Sequence, residues 1–233
     1  MNRPTRPPGP DGPARRSRSE QARRTLAARI MDGALVPGAP LRIGALSEEL
    51  GMSATPVREA LHLLTGEKLV EYLPMRGFVV TRPPDDEHVR TMGEARELLE
   101  PELAALAAER AAPAERDALA ATLERTAAAG VGARFTEYEG YLDHSSAFHA
   151  EIAAAARSPY LAAALEAIPV HTLRFRRFGR AGVDDAEISV REHAAVLAAI
   201  GRGDARAARE AMTAHVRAVT ERALATGADA AGP

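Results

Sequence analysis

A mainly α-helical chain in two unequal parts is predicted by three observations. Apolar residues recur at helical spacing along most of the 233 residues. A single pair of short β-prone runs, Leu69-Val-Glu-Tyr-Leu73 and Phe78-Val-Val-Thr81, flanks the turn Pro74-Met75-Arg76-Gly77 and reads as a hairpin. After it, Arg82-Pro83-Pro84-Asp85 breaks the pattern, and an Ala- and Leu-rich remainder follows. The expected organisation is an Arg/Pro-rich disordered arm over 1–18, a small unit over 19–82, an all-helical unit over 83–226 and a frayed tail over 227–233.

Charge divides along the same seam. Residues 1–82 hold 13 Arg/Lys against 8 Asp/Glu, and residues 83–233 hold 17 against 24, so a net charge of −2 conceals a basic front and an acidic rear. The front attracts a polyanion and the rear does not. With no cysteine, disulfide frameworks and thiolate chemistry are excluded. There is no signal-like apolar run and no stretch of membrane-spanning length, which predicts a cytoplasmic protein without a membrane partner.

Within the front unit, Ser19 is placed to cap a helix carrying Ala22, Leu26 and Ile30 and ending at Asp32-Gly33. Leu35-Val-Pro-Gly38 turns, and Pro40-Leu-Arg-Ile43 is a short extended piece. A helix with Leu46 and Leu50 then stops at Gly51, which tolerates the left-handed conformation of a helix end. Ser53 is a good N-cap for the next helix, and Pro56 falls in its first turn, where a missing N–H costs little. Val57, Ala60, Leu61 and Leu64 face inward, leaving Thr55, Arg58 and His62 on the opposite face. Helix, short strand, helix-turn-helix and hairpin make a winged helix-turn-helix, whose second helix enters a DNA major groove. Arg58 then reaches guanine or a phosphate, and Thr55 either. Arg76-Gly77 at the hairpin tip is either a minor-groove or phosphate contact or a plain turn. An ordinary amphipathic surface helix is the bland alternative for 53–64.

The rear half reads as roughly six helices, with breaks near Pro113, Gly130-Val-Gly132, Ser158-Pro159, Gly179–Asp184 and Gly201–Asp204. Pro101 is expected to kink or split the first of them. Three histidines fall on inward faces. Ser145 and His149 lie one turn apart among Tyr138, Tyr141, Leu142, Phe148 and Ile152. His193 lies among Val190, Ala194, Leu197 and Ile200, and His215 among Ala208, Met212, Val216 and Val219. Each either finds a partner in the core or joins the others at a transition metal such as zinc, nickel or manganese. Arg96 stands in the stripe Val89, Met92, Leu99, Leu103, Leu106. An inward guanidinium needs an anion, either Glu100 one turn on or the carboxylate of a bound small molecule.

Several of these runs also resemble a known family. Pro37-Gly38, Leu46-Ser-Glu-Glu-Leu-Gly51, Ser53-Ala-Thr-Pro-Val-Arg-Glu-Ala-Leu61 and Arg76-Gly77 resemble the winged helix of GntR-family transcription regulators. Glu94-Ala-Arg-Glu-Leu-Leu-Glu100, Phe148-His149, Glu192-His193 and Met212-Thr-Ala-His215 resemble the FCD effector domain of that family's FadR-like branch. The resemblance covers about residues 20 to 224. It implies a homodimeric regulator, a repressor or an activator, binding double-stranded DNA at an inverted repeat and sensing a small carboxylate, often beside a divalent metal. It implies metal-ligand roles for His149, His193 and His215, and an effector-facing role for Arg96. It implies DNA contacts at Ser53, Thr55, Arg58, His62, Arg76 and Gly77. Two departures stand out. Ser145 occupies the place of an acidic fourth ligand, and Ala54 and Gly44 replace arginines that touch DNA in some relatives. A ligand-responsive DNA-binding repressor is the leading expectation. A metalloenzyme acting on a small organic acid, with a nucleic-acid-binding appendage, is the alternative, and an adaptor with plain core histidines the third.

Overall fold

The structure is a computed structural model that describes residues 17–168 and 185–229, with side chains described through 225. Ser17 and Arg18, the last of the arm predicted over 1–18, belong to the start of the first helix. Residues 1–16 of that arm and the predicted break at Gly179–Asp184 lie outside the described residues. Among these, three helices precede a hairpin and six follow it: α1 (Arg18–Met31), α2 (Ile43–Leu50), α3 (Ala54–Gly66), β1 (Val70–Leu73), β2 (Gly77–Val80), α4 (Asp86–Arg110), α5 (Pro113–Ala128), α6 (Phe135–Ala155), α7 (Pro159–Glu166), α8 (Ala186–Gly201) and α9 (Ala205–Asp229). The fold is mainly α, a winged helix-turn-helix followed by an all-helical bundle.

Ser17, not Ser19, caps α1. Its Oγ accepts the Glu20 N–H at 3.1 Å, while Ser19 Oγ is held by Ser17 Oγ. Glu20 thereby falls at the third helical position, where a carboxylate favours the helix N-terminus. Ala22, Leu26, Ile30 and Met31 meet Val57, Ala60, Leu61 and Leu64 of α3 in one apolar cluster. Complete burial of each leucine contributes about 1.5–3 kcal/mol, enough to hold α3 with its other face free. Gly51 ends α2 at φ 61°. The strands pair antiparallel from Val70↔Val80 to Leu73↔Gly77, and a bridge between Pro40 and Val79 ties the extended piece before α2 to the wing.

The bundle is built around α4, which packs along α9. Gly93 makes the approach possible, since a Cβ there would meet Thr220 Oγ1 at 2.6 Å. Pro101 does not split α4, which runs unbroken to Arg110. One backbone donor is lost, but Leu103, Ala104, Ala107 and Ala108 are buried just beyond it and hold the helix in place. On α8 the buried stripe is Ser189, His193, Val196, Ala199 and Ile200. Ala194, expected on that face, is exposed. Helix α9 runs on to Asp229, past Gly227, where the sequence predicts fraying.

Helix α6 belongs to both halves. Its first turns place Phe135, Tyr138, Tyr141 and Leu142 in the winged-helix core, and its later turns place Phe148, Ile152, Ala153 and Ala155 in the bundle core. Asp32, at the end of α1, accepts the Phe135 N–H at 2.7 Å, and Arg24 pairs with Glu139. Arg23 bridges from Glu20 to Glu67 at the end of α3.

Candidate functional site

The recognition face stands as the helical period predicts. Thr55, Arg58 and His62 are exposed on α3, opposite its buried apolar stripe. Ser53 takes the N-cap position, but its hydroxyl makes no capping hydrogen bond and is exposed. The His62 ring rests edge-on against Phe78 of the wing, centroids 5.2 Å apart. At the wing tip Gly77 has φ 76° and Arg76 is exposed. Arg58, His62, Arg76 and Gly77 line one groove of about 750 Å³; Ser53 and Thr55 are not among its lining residues. The groove also takes in Arg42 and Tyr72, which sequence reasoning missed.

In the bundle, three imidazoles from three helices meet. His149 Nε2 lies 3.2 Å from His193 Nε2, which lies 3.2 Å from His215 Nε2. The ring packing of Phe148 against His193, centroids 4.7 Å apart and nearly parallel, fixes the central ring. Behind the outer two stand carboxylates that the sequence reading did not assign this role. Glu192 Oε2 sits 2.7 Å from His215 Nδ1, and Glu100 Oε2 lies 2.6 Å from His149 Nδ1 in an ion-pair contact without good hydrogen-bond angles. Glu192 is held in turn by both terminal nitrogens of Arg222.

Arg96 is buried, 3 % exposed, and its Nε donates to Glu100 Oε1 at 2.5 Å. The i+4 partner weighed from sequence is therefore present. It does not satisfy the whole guanidinium: Arg96 Nη1 is buried without a hydrogen-bond partner. Ser145 is half-buried one turn before His149. Asp143, two residues earlier, is exposed and borders a different cavity, between α1 and α6, beside Arg23 and Glu67. It takes no part in the histidine cluster, which among the described residues consists of His149, His193 and His215.

The electrostatics suit a cation. Burial pushes His193 well below the ordinary histidine range, with His149 and His215 adding to the effect. Burial also pushes His215 down to about 4, against the opposing pull of Glu192. Both rings are uncharged at neutral pH. Burial would raise the Glu100 carboxyl, but Arg96 and His149 outweigh it and hold it well below the carboxylate range; Glu192 is likewise held to about 2, chiefly by Arg222 and His215. A carboxylate against Nδ1 fixes the proton there and leaves Nε2 as a bare lone pair. Glu192 does this for His215. His193 Nε2 has a single hydrogen or a single lone pair to offer and faces Nε2 of His215 on one side and Nε2 of His149 on the other, so it cannot satisfy both, a conflict that a metal ion between the rings removes. Nitrogen ligands of a four-coordinate ion stand about 3.3 Å apart, so the two 3.2 Å spacings fit the group, with all three ligand atoms within 4.8 Å of one another.

A helix that packs one face on α1, leaves Arg58 and His62 in a basic groove shared with a wing, and is joined to a helical bundle with its own polar interior fits a DNA-binding transcription regulator. Comparison with known proteins makes the class specific. The gntR family of bacterial regulatory proteins matches residues 18–80, and the FCD domain matches residues 91–218. The chain belongs to the GntR family, in the group that carries an FCD domain. It is 32% identical over 185 residues to an HTH-type transcriptional regulator in an unstable DNA locus of Streptomyces ambofaciens, covering 79% of this chain and 76% of the relative. It is 26% identical over 220 residues to the galactonate operon transcriptional repressor of Escherichia coli K12, covering 85% and 93%. Two solved structures share the fold: E. coli McbR/YncC, with TM-score 0.60, 24% identity and coverage of 93% and 99%, and a GntR transcriptional regulator of Rhodococcus sp. RHA1, with TM-score 0.61, 20% identity and coverage of 89% and 98%. No helix among the described residues is long and apolar enough to cross a membrane.

Proposed function

We propose that this regulator is a homodimeric repressor whose grip on an inverted repeat is set by a small carboxylate in the bundle. His149, His193 and His215 would hold a divalent ion such as zinc, nickel or manganese, which supplies a Lewis-acid anchor for a carboxylate oxygen. The observation that carries this reading is the opposed Nε2 atoms, backed by carboxylates at Nδ1 on two of the three rings. Arg96 Nη1, buried and unpaired, is the second anchor for an anion. Ser145 offers a neutral hydroxyl, which leaves the charge of the ion for the acid to balance. The E. coli relative is a galactonate operon repressor, and galactonate is itself a small carboxylate, which supports both the output and the ligand class.

On the DNA side, Ser53, Thr55, Arg58 and His62 are the major-groove contacts, and Arg76 with Gly77 the wing contact. Coupling runs through α6. The helix that carries His149 also packs Phe135 and Tyr138 into the winged-helix core and pairs Glu139 with α1, so a shift of its site end moves the base of α3. Metal binding tests the reading. Metal-stripped protein is expected to take up one divalent ion per protomer by calorimetry and elemental analysis, and His193→Ala to weaken uptake about 100-fold or more. Equal uptake by both proteins, or none by either, contradicts it.

A further inference from the structure

The groove beside the recognition helix is built from three separate elements. Arg42 comes from the approach to α2, Arg58 and His62 from α3, and Tyr72 and Arg76 from the wing. No Asp or Glu lines it. Its three guanidinium groups make no ion pair among the described residues, whereas Arg23, Arg29, Arg90, Arg209 and Arg217 each have a carboxylate partner. Carboxylates exist nearby but are turned elsewhere. Glu49 is taken by Arg29, and Glu71 precedes Tyr72 on β1, where successive side chains face opposite sides. Phe78 lies in the groove lining, with Tyr72 and His62 each packed edge-on against it at 5.1 and 5.2 Å. An apolar surface among bare cations suits a sugar-phosphate strand better than it suits either a protein helix or free solvent.

The location specifies which strand. With α3 in a major groove and the wing tip at the adjoining minor groove, the backbone dividing the two grooves crosses the space between them. We infer that this groove seats that phosphodiester strand, and that Arg42 is a phosphate anchor, with the Tyr72 hydroxyl a second, neutral donor. The inference rests on the assignment of α3 as the DNA-reading helix and adds a sequence-independent contact from outside it. Such a contact positions the duplex and carries no base information.

Salt dependence tests it. Wild type, Arg42→Gln, Tyr72→Phe and, as a remote control, the exposed Arg202→Gln are compared on a duplex selected in vitro by the wild type and on a random duplex, across roughly 50–300 mM KCl. For Arg42→Gln the slope of log affinity against log salt is expected to fall by about one per bound protomer, with equal proportional loss on both duplexes and an unchanged melting temperature. Tyr72→Phe should weaken binding several-fold with its slope kept, and Arg202→Gln should match the wild type. An unaltered slope for Arg42→Gln, or a loss confined to the selected duplex, overturns the inference while leaving α3 in place. A wild type indifferent to both duplexes overturns the assignment of α3 and this inference with it.

Discussion

Arg58→Ala is expected to weaken operator binding by about 30-fold or more without lowering stability. The side chain is exposed on α3 between Thr55 and His62 and makes no ion pair among the described residues, so its removal leaves the folded protein intact. Alanine is also the better helix former. On the proposed reading the same guanidinium would supply a bidentate contact to DNA worth about 1–3 kcal/mol, and two protomers on an inverted repeat would double it to about 2–6 kcal/mol. Fluorescence anisotropy on a labelled operator gives the affinity, and a thermal melt of the free protein gives the control. Retained affinity with an unchanged melt would remove Arg58 from the interface.

Glu100→Ala is expected to destabilise the bundle strongly. Glu100 is 3 % exposed and stands between Arg96 Nε and His149 Nδ1. Removing it strands a guanidinium inside the protein, which costs about 3–5 kcal/mol. For a chain of this size the melting temperature falls by about 6–20 °C. Glu100→Gln keeps an acceptor for Arg96 and loses the charge, so an intermediate melt is expected. The His149 ring also loses the group that sets its orientation, which lowers metal affinity about 10–100-fold. Circular dichroism melts of the three proteins check the first effect and metal isotherms the second. A melt equal to wild type for Glu100→Ala would show that Arg96 reaches another anion.

The residues readable from sequence are those whose burial follows from a local period. Val57, Ala60, Leu61 and Leu64 determine which side of α3 is buried, and Thr55, Arg58 and His62 follow by exclusion. The inward placement of His193 and His215 followed in the same way, although the stripe on α8 is rotated enough to expose Ala194. A neighbouring alanine costs little on either side, so alanine marks a face weakly. Partners set by packing between helices left no local trace. Glu192 is 23 residues from His215, and nothing in the spacing says that it supports that ring. Arg42 is similarly hidden, because the groove exists only when the approach to α2, α3 and the wing are assembled.

Helix α6 shows a different limit. Its apolar residues read as one inward face, and they are buried, but against two cores in succession. Periodicity reports that a side chain is covered and not what covers it. The contacts that join the halves, Asp32 with Phe135 and Arg24 with Glu139, bridge more than a hundred positions in the chain. The local penalty of Pro101, taken alone, predicts a broken or kinked helix. Tertiary packing on both sides of it keeps α4 whole.

On the proposed function, occupancy of the bundle interior alters the hold of α3 on DNA. Its most direct test titrates the wild-type protein on its selected operator with a panel of small carboxylates, each with and without zinc, nickel or manganese. The predicted result is that one acid, with metal present, shifts operator affinity by about 5–150-fold, the range of ordinary coupling free energies. Operator affinity that stays flat while the same acid and metal raise the melting temperature would contradict the account.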